Sequence, residues 1–552
     1  MEFHLVSINC RYSHSCLAQF YLRNALQVHL PQCAVTISQL TINDPYYTTL
    51  LRITAIPAQA VLFSVYIWNH RIIRRLAGDL SRLLPELPLI FGGPQASALV
   101  GLSIQCTVVR GEIEGAGEQF YRDLAAGTLQ PLYEAGAGRD FPSPYREEDF
   151  SGPLHNRQLY YESSRGCPFF CAYCLSSVSR GVRHKPLDLV YAELQQLLAV
   201  RPLIIKFVDR TFNDDYGRAA AIWSFLLQQA GSVKCHFEIA PDRFSPEMLA
   251  LLEDVPCDLF QFEIGIQSCN PETLAAVNRQ VDLDRAGEYI RRLVALDTIH
   301  LHLDLILGLP HETRESFRAS FNRVFAFGAQ YIQLGLLKVL PGTEMAERAR
   351  EYGLVFCSEP PYEVLETRWL EHGELRELYE FCQCVESFYN TRFFQSLWQY
   401  LRNCAEEPFA FFQSLLTLCR SHGFFERART HSLMNHILCT LLQQRSDAGL
   451  LLELLAFDWL RCGHRTLPEY FAGTPQKDLR DQLRLQLPQS LPGLYDYHSR
   501  VEFLKQSSFL ELSVPALEEL GLPHSGPATA AFLPEQSGGV MKFNRVAVIP
   551  SL

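Results

Sequence analysis

Cys167, Cys171 and Cys174 fall within one short stretch, ESSRGCPFFCAYCLSS, residues 162–177. Thiolates are soft ligands that suit zinc or iron–sulfur clusters. A structural zinc site takes four protein ligands, often as two separated pairs. The nearest fourth candidate is His184, ten residues beyond Cys174. Cys382 and Cys384 form the other close pair, with a single spacer on a predicted helix, which is poor geometry for a shared metal. The alternative is a [4Fe–4S] cube held at three corners, with one iron left open for something other than protein.

Further chemical side chains stand where short apolar runs end. Asp209 and Arg210 lie in FVDRTFND, Glu238 in HFEIAPDRF, and Glu263 with Gln267 in FQFEIGIQS. Glu263 and Gln267 are four apart, so on a strand they share a face. Ile306 and Gly308 lie in LDLILGLPHET, and Lys338 precedes Pro341-Gly342-Thr343 in LLKVLPGTEM. Each also has a purely structural reading. Asp209 could cap a helix, Glu238 could pair with Arg243, and Lys338 could be solvated.

The elements that must position these residues alternate in type. Runs at 3–9, 34–40, 60–67, 87–93 and 106–111 are short, β-branched and apolar on both faces, as parallel strands between helices are. Helical patterns such as 15–30 and 70–84 separate them, which predicts a doubly wound α/β domain over 1–135. Residues 136–157 are rich in Gly, Pro and charge and read as a linker. A second alternating series fills 158–355, with strands at 159–166, 203–210, 234–240, 259–267, 299–309 and 331–339. Six βα units predict a partial (β/α)6 barrel of the TIM type, with its chemistry at the carboxyl ends of the strands. The cysteines sit just past the first of those ends. Residues 356–552 form a mainly α-helical C-terminal domain, aromatic-rich over 375–420, irregular beyond 480, with a possible closing strand at 538–549.

Composition bounds the rest. The chain has 552 residues, 48% of them apolar, and a net charge of −11, which argues against sequence-independent nucleic-acid binding. No apolar run reaches the ~18–20 residues that cross a bilayer, and the N-terminus reads as a core strand, so a cytoplasmic protein without membrane contact is expected. The 17 cysteines are scattered, and most read as buried thiols.

The spacing C-x3-C-x-aromatic-C, with Tyr173 in the aromatic slot, resembles the signature of radical S-adenosylmethionine (SAM) enzymes. The resemblance implies a [4Fe–4S] cluster on the three cysteines and SAM chelating the open iron. It places Glu263 at the SAM ribose with Gln267 nearby, and Ile306 and Gly308 against the adenine. It sets Asp209 and Glu238 toward the polar part of SAM. Asp209-Arg210 stands where the family often has Gly-Gly-Glu, and Asp304 where its adenine motif begins with glycine. The first domain resembles the cobalamin-binding domain of one radical SAM subclass. Ser64, Gly92 and Gly93 match its cofactor-tail channel, and Gly111-Glu112 its last turn. Tyr66 replaces the usual leucine. No Asp-x-His-x-x-Gly occurs, and His14 is the nearest histidine to the place of a cobalt ligand. The resemblance covers about 1–355, and the helical remainder is similar to an extension in one uncharacterised branch. Together these imply a cobalamin-dependent radical SAM enzyme that methylates an unactivated carbon of a small-molecule or peptide substrate, fed by an electron donor such as flavodoxin or ferredoxin. Cyclisation or rearrangement without methyl transfer is the nearest alternative. A non-enzymatic zinc-binding protein is the alternative of another class.

Overall fold

A computed structural model describes residues 1–549 except 102–103, 139, 178–180, 405, 472–473, 490–493, 495–498 and 538–542. The chain forms two compact units. One comprises Met1–Glu263, Val277–Arg279 and Lys338–Leu365, and the other Ile264–Ala276, Gln280–Leu337 and Glu366–Leu552.

In the first unit, six strands make a sheet of order β2-β1-β3-β4-β5-β6. They are β1 (Glu2–Asn9), β2 (Ala34–Thr41), β3 (Ala60–Ser64), β4 (Leu89–Gly92), β5 (Cys106–Arg110) and β6 (Leu132–Glu134), and each pairs in parallel with its neighbours. Alternate side chains feed two cores. Val61 and Phe63 enter one with Val6, Leu89 and Phe91; Ala60 and Leu62 enter the other with Leu5 and Ile90. This two-sided burial explains runs with no polar alternation. The helix His70–Leu83 covers one face through Ile73, Leu76, Ala77 and Leu80, a stripe of helical period. Asn69 sets its start: the amide Nδ2 donates to Ile8 O and Ser64 O, and Oδ1 accepts from Tyr66 N, tying the ends of β1 and β3 together.

β6 was not expected. It extends the sheet at the very end of the first domain, just before the stretch read as a linker. The segment 136–157 is packed, because its charges are partnered. Asp149 pairs with Arg23 at 2.5 Å with both side chains buried, Arg23 Nη2 donates to Pro144 O, and Tyr21 OH donates to Phe141 O.

The second series begins with β7 (Leu159–Tyr161). The strand expected over 159–166 breaks at 162–163. Its continuation, β8 (Ser164–Cys167), leaves the sheet and pairs antiparallel with β9 (Gly181–His184). The physical reason is Asp209, whose carboxylate takes the N–H of Ser163 at 2.9 Å that a strand ladder would otherwise use. β10 (Ile204–Phe207), β11 (Lys234–Ile239) and β12 (Phe260–Gln267) follow, in the order β7-β10-β11-β12. The interhelical face of these strands is aromatic: Phe207, Phe237, Phe260 and Phe262 gather around the fully buried Trp223.

β12 runs on into the second unit, where the order is β12-β13-β14, with β13 (His300–Leu307) and β14 (Tyr331–Leu336) parallel. The parallel series expected for the barrel is therefore present. The aromatic region 375–420 is three helices, His372–Phe388, Gln395–Asn403 and Pro408–Ser421. Their rings, with Phe321 and Phe325, build one core. Pro408 opens the third helix at its first turn, where a missing N–H costs nothing. Beyond 480 the chain is more regular than expected. Ser508–Leu512, Ala528–Ser537 and Phe543–Val548 form an antiparallel sheet. The expected strand 538–549 is present as its last member, and 538–542 lie outside the described residues. No described helix is long and apolar enough to cross a membrane.

Candidate active site

The loop carrying the cysteines is held from several sides within the first unit. Gly166 in β8 has φ +98° and lies against the backbone of Gly181 and Val182, where a Cβ would collide. Cys167 lies opposite Gly181 in the pair, and its Sγ is 3.5 Å from Thr211 Oγ1. Ala172, between the other two cysteines, is pinned through both backbone groups. Its N–H donates to Val277 O at 2.9 Å, and its carbonyl accepts from Met345 N at 2.8 Å. The carbonyl of Cys171 accepts from Cys174 N, and that of Cys174 from Ser177 N and Oγ.

All three cysteines are free thiols. Burial pushes the Cys167 thiol up, and Cys171 and Cys174 add to this, so the three sulfurs share one electrostatic environment. Tyr173 is likewise pushed well up, first by burial and then by Cys171. Arg279 opposes that charge: its Nη1 donates to Cys171 Sγ at 3.9 Å, and its guanidinium lies 5.1 Å from the centre of the Phe169 ring. Among the described residues, no three His, Cys, Asp or Glu side chains converge on a point that would hold one metal ion. His184 is paired with Asp214 at 3.2 Å instead. Three free thiols in one field offer the soft ligands that an iron–sulfur cluster takes.

The neighbouring strand ends divide into two kinds. Asp209 is fully buried and occupied. Besides Ser163 N, it accepts from Ser163 Oγ at 2.6 Å and Ser164 Oγ at 2.7 Å. Burial raises its pKa against these hydrogen bonds. Through these bonds Asp209 holds the root of the cysteine loop. Glu238 is open by comparison. Its side chain is 34% exposed, 3.8 Å from Arg210, with the expected partner Arg243 stacked instead over Phe169. Burial, opposed by Arg210 and reinforced by Glu263, pushes Glu238 up to about 7. Glu263 accepts from His236 Nε2 at 3.1 Å. Lys338 is exposed, with its backbone bridged to Glu363, and Thr343 caps the turn Glu344–Glu347. That last loop meets the cysteines through Met345, not through Lys338.

In the second unit, Gln267 ends β12 in a left-handed conformation, φ +72°. Ile306 is half-buried on β13, and Gly308 follows it at φ +88°. Sequence reasoning missed Glu312 just beyond. It is buried and accepts from Ser268 Oγ at 2.7 Å and Ser316 Oγ at 3.1 Å, joining the loops after β12 and β13. The acid inside PHET, four residues before a serine, was the available signal.

At the carboxyl ends of the first sheet, Ser64 lies opposite Gly92. Its hydroxyl is buried and accepts from Gln19 Nε2 at 2.9 Å. Gly93, at φ +106°, packs on the backbone of Val65, which has no room for a Cβ. Gly92 is open: a Cβ there would touch only Val109 O, at 3.8 Å. His14 Nδ1 is 3.0 Å from Tyr160 OH. Gly111 sits beside Glu112, which is held by Arg165 and Arg183. Tyr66 stacks on Trp68, ring centres 4.4 Å apart.

Comparison with known proteins bears on this arrangement. The radical SAM superfamily model matches residues 161–324, and a model described as a protein of unknown function (DUF4080) matches 350–500. The bacteriochlorophyllide d C-12(1)-methyltransferase of Chlorobaculum tepidum is 24% identical over 50% of this chain and 63% of its own length. The ribosomal protein uS12 methylthiotransferase RimO of Synechococcus sp. RCC307 is 32% identical over 29% of this chain and 34% of its own. This chain therefore spans less than two thirds of the length of these relatives. The fold is shared with the cobalamin-dependent SAM radical enzyme OxsB, TM-score 0.58 at 12% identity, over 91% of this chain and 83% of that one.

Proposed function

We propose that this chain, whose residues 161–324 are a radical SAM domain, is a cobalamin-dependent radical SAM enzyme that methylates an unactivated carbon. The observation that carries the reading is the thiol triplet: three free cysteines in one field, on a loop pinned through Ala172. When bound, the cluster and SAM supply one-electron cleavage to methionine and a 5′-deoxyadenosyl radical, and cobalamin supplies a methyl carrier.

The protein's own part is placement. Cys167, Cys171 and Cys174 hold three irons, and Arg279 offsets the negative charge that three thiolates bring into a partly dry site. Glu263, oriented by His236, would accept from the ribose hydroxyls, and Gln267 is read as a further SAM-binding residue. Glu238 takes the SAM ammonium, which would restore its ionised form. Ile306 and Gly308 offer an apolar side chain and bare backbone to the adenine. In the first domain the backbone at Gly92 leaves room for the cobalamin tail, and Gly93 fixes the turn. The relative names support methyl transfer, and the shared fold with OxsB supports cobalamin in the 1–135 domain. The same reading takes 136–157 as the connection, 158–355 as the catalytic barrel and 356–552 as a helical C-terminal domain, working in the cytoplasm with a flavodoxin- or ferredoxin-type electron donor.

The test is anaerobic reconstitution of the full chain with iron, sulfide and cobalamin. The expected result is about four irons per chain, 5′-deoxyadenosine under dithionite, and a product heavier by one methylene. Zinc in place of iron overturns the cluster. Deoxyadenosine with no methylated product overturns methyl transfer.

A further inference from the structure

The second unit holds a cavity of about 350 Å³ at the end of its strands opposite Gln267 and Gly308. Asp297, Ala329 and Gln330, which line it, directly precede β13 and β14. Three arginines, Arg392, Arg402 and Arg461, share its wall with the rings of Trp398 and Phe457.

The charges there are unevenly matched. Arg461 is paired with Asp458 at 2.8 Å, and Asp458 also accepts from Ser396 N and Oγ. Neither Arg392 nor Arg402 has a carboxylate within 4.0 Å among the described residues. Arg402 donates to Gln399 Oε1 at 2.9 Å. Three buried nitrogens of the lining residues have no partner: Arg392 Nη1, Arg461 Nε and Gln395 Nε2. All three are donors. A buried donor without an acceptor costs on the order of 1–3 kcal/mol, and like charges held together add to it. Burial pushes the Arg392 guanidinium down to about 10; Tyr389 and Asp297 oppose this, and Arg461 and Arg402 add to it. Arg392 is further held at φ +61°, between the helices His372–Phe388 and Gln395–Asn403. Backbone strain and unpaired donors persisting at one residue point to function.

We propose that this cavity is a binding site for a small molecule with an oxyanion headgroup and an apolar body. Arginine forks match the paired oxygens of phosphate or carboxylate, and the aromatic wall takes the body. The site lies at the opposite strand ends from the proposed SAM residues of this unit, so its occupant is distinct from the reactants and stands independently of the proposed function.

The experiment is calorimetric titration of the full chain with phenyl phosphate, benzoate, inorganic phosphate and phenol, alongside the variants Arg392→Gln and Arg402→Gln. One or both aromatic anions are expected to bind, and which one is tighter separates phosphate from carboxylate ligands. Phenol is expected not to bind. Each variant should weaken the anion by about ten- to a hundred-fold, the loss of charge-assisted hydrogen bonds. Without ligand, Arg392→Gln should melt no lower than the parent chain, since it removes an unpaired buried charge. The proposal falls if neither aromatic anion binds, if phenol binds equally, or if both variants keep the parent affinity.

Discussion

Replacing Gly166 by alanine tests what the cysteine loop needs from its scaffold, and Gly181→Ala is its internal control. Both glycines lie in the β8/β9 pair and both have positive φ, +98° and +85°. A left-handed alanine costs about 1–2 kcal/mol, partly offset by about 0.4–1 kcal/mol from stiffening the unfolded chain. At Gly181 that is the whole effect, because nothing lies within 4 Å of the added methyl. At Gly166 the methyl would overlap the Gly181 carbonyl oxygen and stand 3.2 Å from its carbon. That neighbour is backbone, so the strands must part by on the order of 1 Å, adding about 1–3 kcal/mol. Gly166→Ala should therefore lose about 2–4 kcal/mol in urea unfolding of the apo protein, and Gly181→Ala about 1 kcal/mol or less. The larger consequence is chemical. Cys167 is the next residue, and metal sites tolerate ligand displacements of about 0.2 Å. After anaerobic reconstitution, Gly181→Ala should carry the parent iron content and Gly166→Ala less than half of it. Equal stability of the two variants, or full iron in Gly166→Ala, would refute the reasoning.

Three further outcomes are expected. Arg279→Gln should lower the cluster's midpoint potential by on the order of 60 mV, a ten-fold change for one electron, because a cation 3.9 Å from Cys171 Sγ favours the more negative reduced state; redox titration followed by electron paramagnetic resonance reads it, and an unchanged potential removes Arg279 from this role. Glu312 has its pKa raised by burial from 4.5 to about 7. The folded state thus binds the proton more tightly, and stability falls as pH rises from 4.5 to 7; Glu312→Gln should flatten that fall and at pH 8 be more stable by up to about 3 kcal/mol, measured by denaturation at pH 5 and 8. Asp209→Ala should cost at least about 2 kcal/mol by stranding the Ser163 and Ser164 donors, with Asp209→Asn recovering part; a variant as stable as the parent would refute this supporting role.

Much of this was legible in the sequence because it is periodic. The two-sided apolar runs of β1 to β5 and the βα repeats from 158 onward state their own fold. What escaped was decided by tertiary partners. The segment 136–157 has a linker's composition, yet Arg23, over a hundred residues away, neutralises Asp149. The strand over 159–166 has an unbroken β pattern, yet Asp209 takes the N–H of Ser163 and turns the chain out of the sheet. No local window contains either partner. The arginines of the 350 Å³ cavity come from one loop and two separate helices, so they have no motif.

The same point sharpens how polar residues at strand ends are read. Asp209, Ser64 and Glu238 look alike in sequence, each a polar residue after apolar ones. Asp209 has its acceptor capacity filled by Ser163 and Ser164, and the Ser64 hydroxyl is buried under Gln19. Glu238 has one distant arginine and a proton affinity raised to about 7. A carboxyl left that way costs stability unless something supplies a cation. The residues whose hydrogen bonding the fold completes are therefore scaffold, and those it leaves incomplete are where a ligand contributes. By that criterion Glu238 is the stronger candidate for the proposed SAM contact, and Asp209 supports the cysteine loop. Arg392, incomplete at the other end of the strands, marks a second site that strand-end logic alone would never have found.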